Sequence, residues 1–357
     1  MAIALLGRHL KHGIALEATS VGTESAPTKG LVNFNKAVII PGQQWDDAQR
    51  QNGYTCRSTT EYRDGRVAPT FSVESAMMTP AAAEPQFMAY LGALTGHDGV
   101  TQTGAGPFIQ TIISRDTNTG YSVSYGDTIT AGDPISFCIK ESAGAGAGED
   151  SFIAGCVPNR IDLTFPSDGF VRMTVGFMSL LYNDSDTIDG TTTLPAASLQ
   201  LRSQDFKYKY GDGTPAALYS EELTLSFIAD MIPKYYGGWN DAYPFKLLFN
   251  GWSTEGTFKK PWVSGASSMA KEHWFGGGDS GNHFPLYIYN TTDYSDNPDA
   301  NGELWIKVNV RVKEDPGKEL DNETTESVSF EGVYDSTTSQ KLWTVLQGTT
   351  SSQTWAV

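Results

Sequence analysis

Apolar and polar residues alternate on both sides of a turn between Ile161 and Phe177. Ile161, Leu163 and Phe165 alternate with Asp162 and Thr164. Pro166, Ser167, Asp168 and Gly169 supply turn chemistry. Val171, Met173, Val175 and Phe177 then alternate with Arg172, Thr174 and Gly176. A period of two on both sides of a turn predicts a β-hairpin with one apolar and one wet face. Ile161, Leu163, Val171, Met173 and Val175 are expected in the core, and Asp162, Thr164, Arg172 and Thr174 on the wet face.

Similar strand patterns recur along the chain. They fall at 31–40, at 67–77, in "GYSVSYGDTI" and in "PISFCIKE". Later ones are "LQLRSQDFKYKY", "EELTLSFIADMI", "FKLLFNGW" through "GTFKKPW", "FPLYIYN", "ELWIKVNVRVKE" and "ESVSFEGVY". Leu304, Ile306, Val308, Val310 and Val312 form the cleanest stripe. Pro85 followed by Phe87, Leu91 and Leu94, with Gly96 as the stop, predicts one short helix. Residues 267–278 predict a second.

These patterns predict an all-β fold with one or two short helices, a β-sandwich or barrel-like architecture. The expected organisation is an N-terminal arm over 1–30, a first β-rich half over 31–182, a linker over 183–198 and a second half over 199–357. The second half carries an aromatic and Gly-rich insertion at 235–283. Each half reads strands, helix, strands, which predicts an internal duplication. Residues 142–150 read as a flexible connector. The polar stretch 43–66 is longer than an ordinary connection, and loops of that length are often functional.

Composition narrows the function. The chain has 357 residues, enough for one large or two ordinary cores. With 25 basic and 41 acidic residues the net charge is −16, which argues against tight binding to nucleic acid through phosphate neutralisation. Cys56, Cys138 and Cys156 form no CxxC pair and fit a reducing cytoplasm, although a Cys138–Cys156 bridge is conceivable. No signal peptide or membrane span is legible, so a soluble protein made in a cytoplasm, with no membrane anchor, is expected.

The tempting motifs lack their partners. Gly278-Asp279-Ser280-Gly281 resembles a protease nucleophile loop, but His9, His12, His97, His273 and His283 stand outside any such constellation. "GAGAGAG" is followed by Glu149 and Asp150 where a phosphate cradle needs Lys and Ser or Thr. Asn297, Asp299, Asn301 and Gly302 match an EF-hand start, but Val308 replaces the closing Glu. The sequons at Asn183, Asn290 and Asn322 reflect a Thr- and Ser-rich composition. The aromatic run from Tyr235 to Trp252 suits a core or interface, with sugar stacking as the alternative. No catalytic residue, cofactor site or metal site is assigned, and the protein is not expected to be an enzyme.

The joint order of several pieces resembles the tail tube (major tail) proteins of long-tailed, siphovirus-type bacteriophages. The pieces are "ALEATSVGTESAP", "PTFSVESAMMTPAAAEPQFMAYLGALTG", "FIAGCVPNRIDLTFPSDGFVRMTVGFMS", "ELTLSFIADMIPKYYGG" and "ELWIKVNVRVKE" with "ESVSFEGVYD". The aromatic and Gly-rich region departs from that pattern. The resemblance implies a self-assembling virion protein whose rings, hexameric or trimeric with pseudo-hexameric symmetry, stack into a hollow tube. Sheets of neighbouring subunits would close into a ring barrel. Partners would be the tape-measure protein, the tail terminator, distal tail or baseplate proteins, and DNA in transit. A lumen carrying part of the negative charge would let phosphate pass. Asp162, Thr164, Arg172 and Thr174 would then face the lumen or a neighbouring subunit. Trp45, Asp46, Asp47, Arg50, Arg57, Glu61 and Arg63 would, with the N-terminal arm, make contacts between rings. The alternatives are another virion shell or decoration protein, or a sugar-binding β-sandwich of a receptor-binding fibre.

Overall fold

The computed structural model describes residues 11–349 apart from 18, 26–28, 32–38, 41–42, 48–61, 79–86, 97–99, 105–107, 115–120, 130–135, 143–149, 187–199, 212, 237–242, 262–282, 301, 314–316, 321–323 and 335–341. Described elements up to the hairpin are β1 (Lys11–Leu16), β2 (Lys29–Gly30), β3 (Gln43–Asp47), β4 (Tyr62–Val67), β5 (Thr70–Ala76), α1 (Phe87–Leu94), β6 (Val100–Thr103), β7 (Phe108–Ile113), β8 (Ser122–Ser124), β9 (Phe137–Ser142), β10 (Asp150–Phe165) and β11 (Arg172–Met178). Those after it are β12 (Leu181–Asp186), β13 (Lys207–Tyr210), β14 (Ala216–Ala217), β15 (Leu223–Lys234), β16 (Lys246–Pro261), β17 (His283–Tyr289), β18 (Leu304–Val312), β19 (Gly317–Leu320), β20 (Thr324–Gly332) and β21 (Trp343–Thr349). Most of the described residues are strand, as expected. No helix among the described residues is long and apolar enough to cross a membrane.

All strand pairs among the described residues are antiparallel. The main sheet runs β5–β11–β10–β15–β16–β20–β18–β17–β13–β14. The first part of β18 instead pairs with β21, which continues to β7 and β6. A smaller sheet runs β2–β1–β9–β10–β12. The pairing of β10 with β15 joins segments from either side of the expected 183–198 linker into one sheet.

The long strand β10 serves both sheets because it bends. Its first part pairs with β9 and β12 and its second part with β11 and β15, with register shifts between Ile153 and Cys156 and between Pro158 and Arg160. Gly155 sits at the bend with φ +62°. A side chain there would meet Leu180 at 2.9 Å, so the position requires glycine on both counts.

Between the sheets lies α1, with all eight residues buried. The spacing of Phe87, Leu91 and Leu94 predicts one apolar face; the structure surrounds the whole helix, which is why Ala89, Gly92 and Ala93 can fill the other faces. Gly96 follows its end with φ +72°. The Leu94 carbonyl accepts hydrogen bonds from the Tyr121 hydroxyl at 2.8 Å and the Trp252 indole at 3.3 Å. These bonds satisfy a helix-end acceptor that would otherwise be left buried without a partner. Phe249 stacks on Tyr121 at 4.9 Å and lies 4.1 Å from Trp252. Part of the aromatic run is thus packing around the helix terminus.

Some expected elements change. Residues 11–16, placed in an N-terminal arm, are strand β1 against β9, with Ile14 in the core. The polar stretch 43–66 contains β3 and β4, paired as a separate two-stranded sheet, rather than one loop. The expected linker begins as strand, because β12 continues to Asp186. Ser203–Asp205 is a 3₁₀ turn, so that strand starts only at Lys207. The expected helix at 267–278 and most of the 31–40 strand lie outside the described residues.

Candidate functional site

The predicted hairpin forms. Ile161 opposes Val175, Asp162 opposes Thr174, Leu163 opposes Met173 and Thr164 opposes Arg172. The apolar set is buried, with Ile161, Leu163, Val171 and Val175 at 0% exposure and Met173 at 5%. The four wet-face residues therefore come together on the opposite surface, where Arg172 is exposed and the other three half-buried.

Cross-strand register extends this surface well beyond the hairpin. Glu74 on β5 opposes Thr174, and Asp162 opposes Ser226 on β15. Ser226 opposes Glu255 on β16, Glu255 opposes Glu331 on β20, and Glu331 opposes Arg311 on β18. Seven strands thus contribute one residue each to a single polar row, about 29 Å across at the usual strand spacing.

Most charges in and beside the row are paired. Arg160 donates through Nε to both Asp162 oxygens at 2.8 and 2.9 Å, and its guanidinium lies 3.7 Å from Glu255. The hydrogen bond to Asp162 raises the Arg160 pKa above its ordinary value. Ser226 donates its hydroxyl to Asp162 at 2.5 Å. Arg172 lies 3.8 Å from Glu74, Lys313 3.6 Å from Glu255, and Arg311 2.5 Å from Glu331. Thr224 and Thr257 share a hydroxyl hydrogen bond at 2.8 Å. Glu74, Asp162, Glu255 and Glu331 are thus set against Arg160, Arg172, Arg311 and Lys313. The acidic excess of the chain lies outside these pairs. Chemically, the face offers hydroxyls and satisfied ion pairs rather than a concentrated charge of one sign.

Arg160, Ser226, Glu255, Glu331 and Arg311 escape the sequence reading. The alternation in "LTLSF" and "STEGTF" marks Ser226 and Glu255 as off-core, but their adjacency to Asp162 depends on strand order. Of the expected inter-ring residues, Trp45, Asp46, Asp47 and Arg63 lie on the separate two-stranded sheet. Asp46 opposes Arg63, Asp47 opposes Tyr62 and Trp45 opposes Asp64 on the two-stranded sheet. Arg50, Arg57 and Glu61 lie outside the described residues.

A second polar cluster sits where the sheets meet. Glu17 is 2% exposed. Its carboxylate accepts hydrogen bonds from the Gly22 amide at 3.1 Å, the Gly155 amide at 2.7 Å and the Ser136 hydroxyl at 2.5 Å. Burial outweighs these bonds and raises the Glu17 pKa to about 7 from 4.5. Nearby Cys138 and Cys156 are free thiols, not a bridge. Burial pushes Cys138 up to about 12 and Cys156 well above its ordinary value.

The Glu17 shift has a testable sign. Below pH 4.5 the carboxyl is protonated both folded and unfolded. Between pH 4.5 and 7 the unfolded chain ionises first, so stability falls as pH rises, by up to about 3 kcal/mol. Glu17→Gln is expected to remove this slope, read as the wild-type minus variant difference in urea unfolding at pH 5 and pH 7.5.

Among the described residues no group of three or more His, Cys, Asp or Glu side chains is placed to hold a metal ion. In the EF-hand-like loop, the Asp299 and Ala300 amides donate to Glu303 at 2.7 and 3.1 Å, and Val308 is core.

No family model matches the chain, and no curated protein matches it.

Proposed function

We propose that the chain is a structural virion subunit, the tail tube protein of a long-tailed bacteriophage, with the polar row facing the lumen. The observation that carries this reading is the row itself: a broad polar surface backed by a continuous apolar core. A surface whose charges are paired attracts a passing phosphate backbone weakly, because no run of unpaired cations is presented. Copies would form a ring, six or three acting as six, and rings would stack around the tape-measure protein and later around DNA. Tail terminator and baseplate proteins would meet the tube ends. The separate sheet of β3 and β4 would reach the next ring. The role is architectural and requires no catalytic group.

The lumen assignment is tested by thiol labelling of Thr164→Cys and Thr174→Cys in a Cys56→Ser background. In unassembled protein both positions should react with small and with polymer-linked maleimides. In assembled particles the small reagent should still react and the bulky one should be excluded. Equal labelling of assembled particles by both reagents would place the row on the outside and contradict the reading.

A further inference from the structure

Away from the polar row, β13 and β14 frame an open cleft of about 480 Å³. That volume lies within the about 300–1,000 Å³ typical of small-ligand sites. The cleft lies where β14 ends. Lys209 and Tyr210 pair with Ala217 and Ala216, and the Leu218 amide donates to the Tyr208 carbonyl at 2.9 Å. Beyond that bond, Tyr219 and Ser220 line the cleft together with Phe206 and Lys207.

The walls are aromatic and held in place. Phe206 and Tyr208 pack edge-on against Phe165 at 5.1 and 6.1 Å. Tyr289, which also lines the cleft, is buried. Tyr219, by contrast, is 77% exposed, the most exposed large hydrophobic side chain among the described residues. A tyrosine ring left in water contributes almost nothing to folding through burial. Its ring remains available for contact.

The cleft also carries local positive charge on an acidic protein. Lys209 is engaged by Asp293 at 3.5 Å and lies over the Tyr294 ring at 4.3 Å. Lys207 is exposed, and its ammonium donates to the Thr292 carbonyl at 3.3 Å, a contact that leaves its charge uncompensated by that partner. Tyr208, pushed up to about 12 mainly by burial, stays protonated at neutral pH and keeps its hydrogen-bonding hydroxyl.

We propose that this cleft binds a saccharide ring bearing an anionic group, with Tyr219 stacked on the sugar's C–H face and Lys207 meeting the anion. A pyranose has an apolar C–H face and a rim of hydroxyls, which matches an exposed aromatic ring beside polar groups. An apolar ligand would leave the lysine and hydroxyl groups unused, and a simple anion would leave the exposed ring unused. The proposal is independent of the tube reading.

The test is saturation-transfer NMR of the purified protein with glucuronic acid and maltose, with inorganic phosphate as a competitor, alongside assembly measured on the same samples. Glucuronic acid is expected to bind more tightly than maltose. Tyr219→Ala should weaken glucuronic acid binding about tenfold, the equivalent of about 1.4 kcal/mol, while Tyr219→Phe should preserve it. Lys207→Gln should bring glucuronic acid down to the level of maltose. Absence of saccharide binding, binding insensitive to Tyr219→Ala, or full displacement of glucuronic acid by phosphate would overturn the proposal. Loss of assembly in Tyr219→Ala would also overturn it, by making the cleft a contact between subunits. A protein that binds glucuronic acid but never assembles would overturn the tube reading alone.

Discussion

Gly256→Ala is expected to lower the free energy of unfolding by about 3 kcal/mol or more, at the upper end of overpacking effects. Gly256 lies in β16 between two paired strands, opposite Leu225 on β15 and Phe330 on β20. A methyl group there would fall 2.1 Å from the Thr224 carbonyl oxygen and 2.4 Å from the Phe330 ring. One obstacle is backbone held in a hydrogen-bonded ladder, and the other is a fully buried ring. Neither can rotate away as a surface side chain would. The same strand supplies its own control. A Cβ at Gly251 would meet nothing within 4 Å, so Gly251→Ala is expected to change stability by less than about 0.5 kcal/mol. Urea unfolding of both variants checks the pair. Equal effects at the two sites would contradict the packing of β16 against β15 and β20.

Phe177→Ala is expected to cost about 4 kcal/mol. The residue is 1% exposed, and its ring lies 5.5 Å from Tyr90, 6.1 Å from Phe137 and 6.3 Å from Phe71. Those partners belong to α1, β9 and β5, so one ring contacts the helix and both sheets. Truncation removes its buried area and leaves a cavity at a junction whose surroundings are fixed from several directions. Relaxation is therefore limited, which places the cost high in the range for Phe to Ala. Phe170→Ala offers the contrast. Its ring is 40% exposed, and its loss should cost less than about 1 kcal/mol. A Phe177→Ala midpoint in urea close to that of Phe170→Ala would show that the sheets do not meet through this ring.

The local part of the fold is legible in the sequence wherever alternation is unbroken. The hairpin of β10 and β11 and the stripe from Leu304 to Val312 follow directly from a period of two. The strands β7 and β21 are missed for a physical reason. Gln110 and Gln347 point to the interior, at 2% and 0% exposure, and stand opposite each other in register. Each polar residue interrupts an apolar face, so neither strand shows a clean pattern. The strands β3 and β4 are missed because "QQWDD" and "YRDGRV" lack an apolar stripe. The helix is found, but its burial on every face is not, because enclosure by two sheets is a tertiary property.

The candidate site divides in the same way. Asp162, Thr164, Arg172 and Thr174 are placed on one face by parity alone. Their neighbours Ser226 and Glu255 are 64 and 93 residues from Asp162 in the chain. Nothing local shows that β15 lies against β10, or that β16 follows it. The ion pairs that balance the face depend on that order.

Assembly into a hollow tube can be seen by negative-stain electron microscopy of the purified protein across a concentration series. Rings or hollow tubes with a regular axial repeat are expected, with six-fold or pseudo-six-fold symmetry in averaged end views. Closed shells, solid fibres without a lumen, or a population of separate monomers that persists even when tail-initiation proteins are added would contradict it.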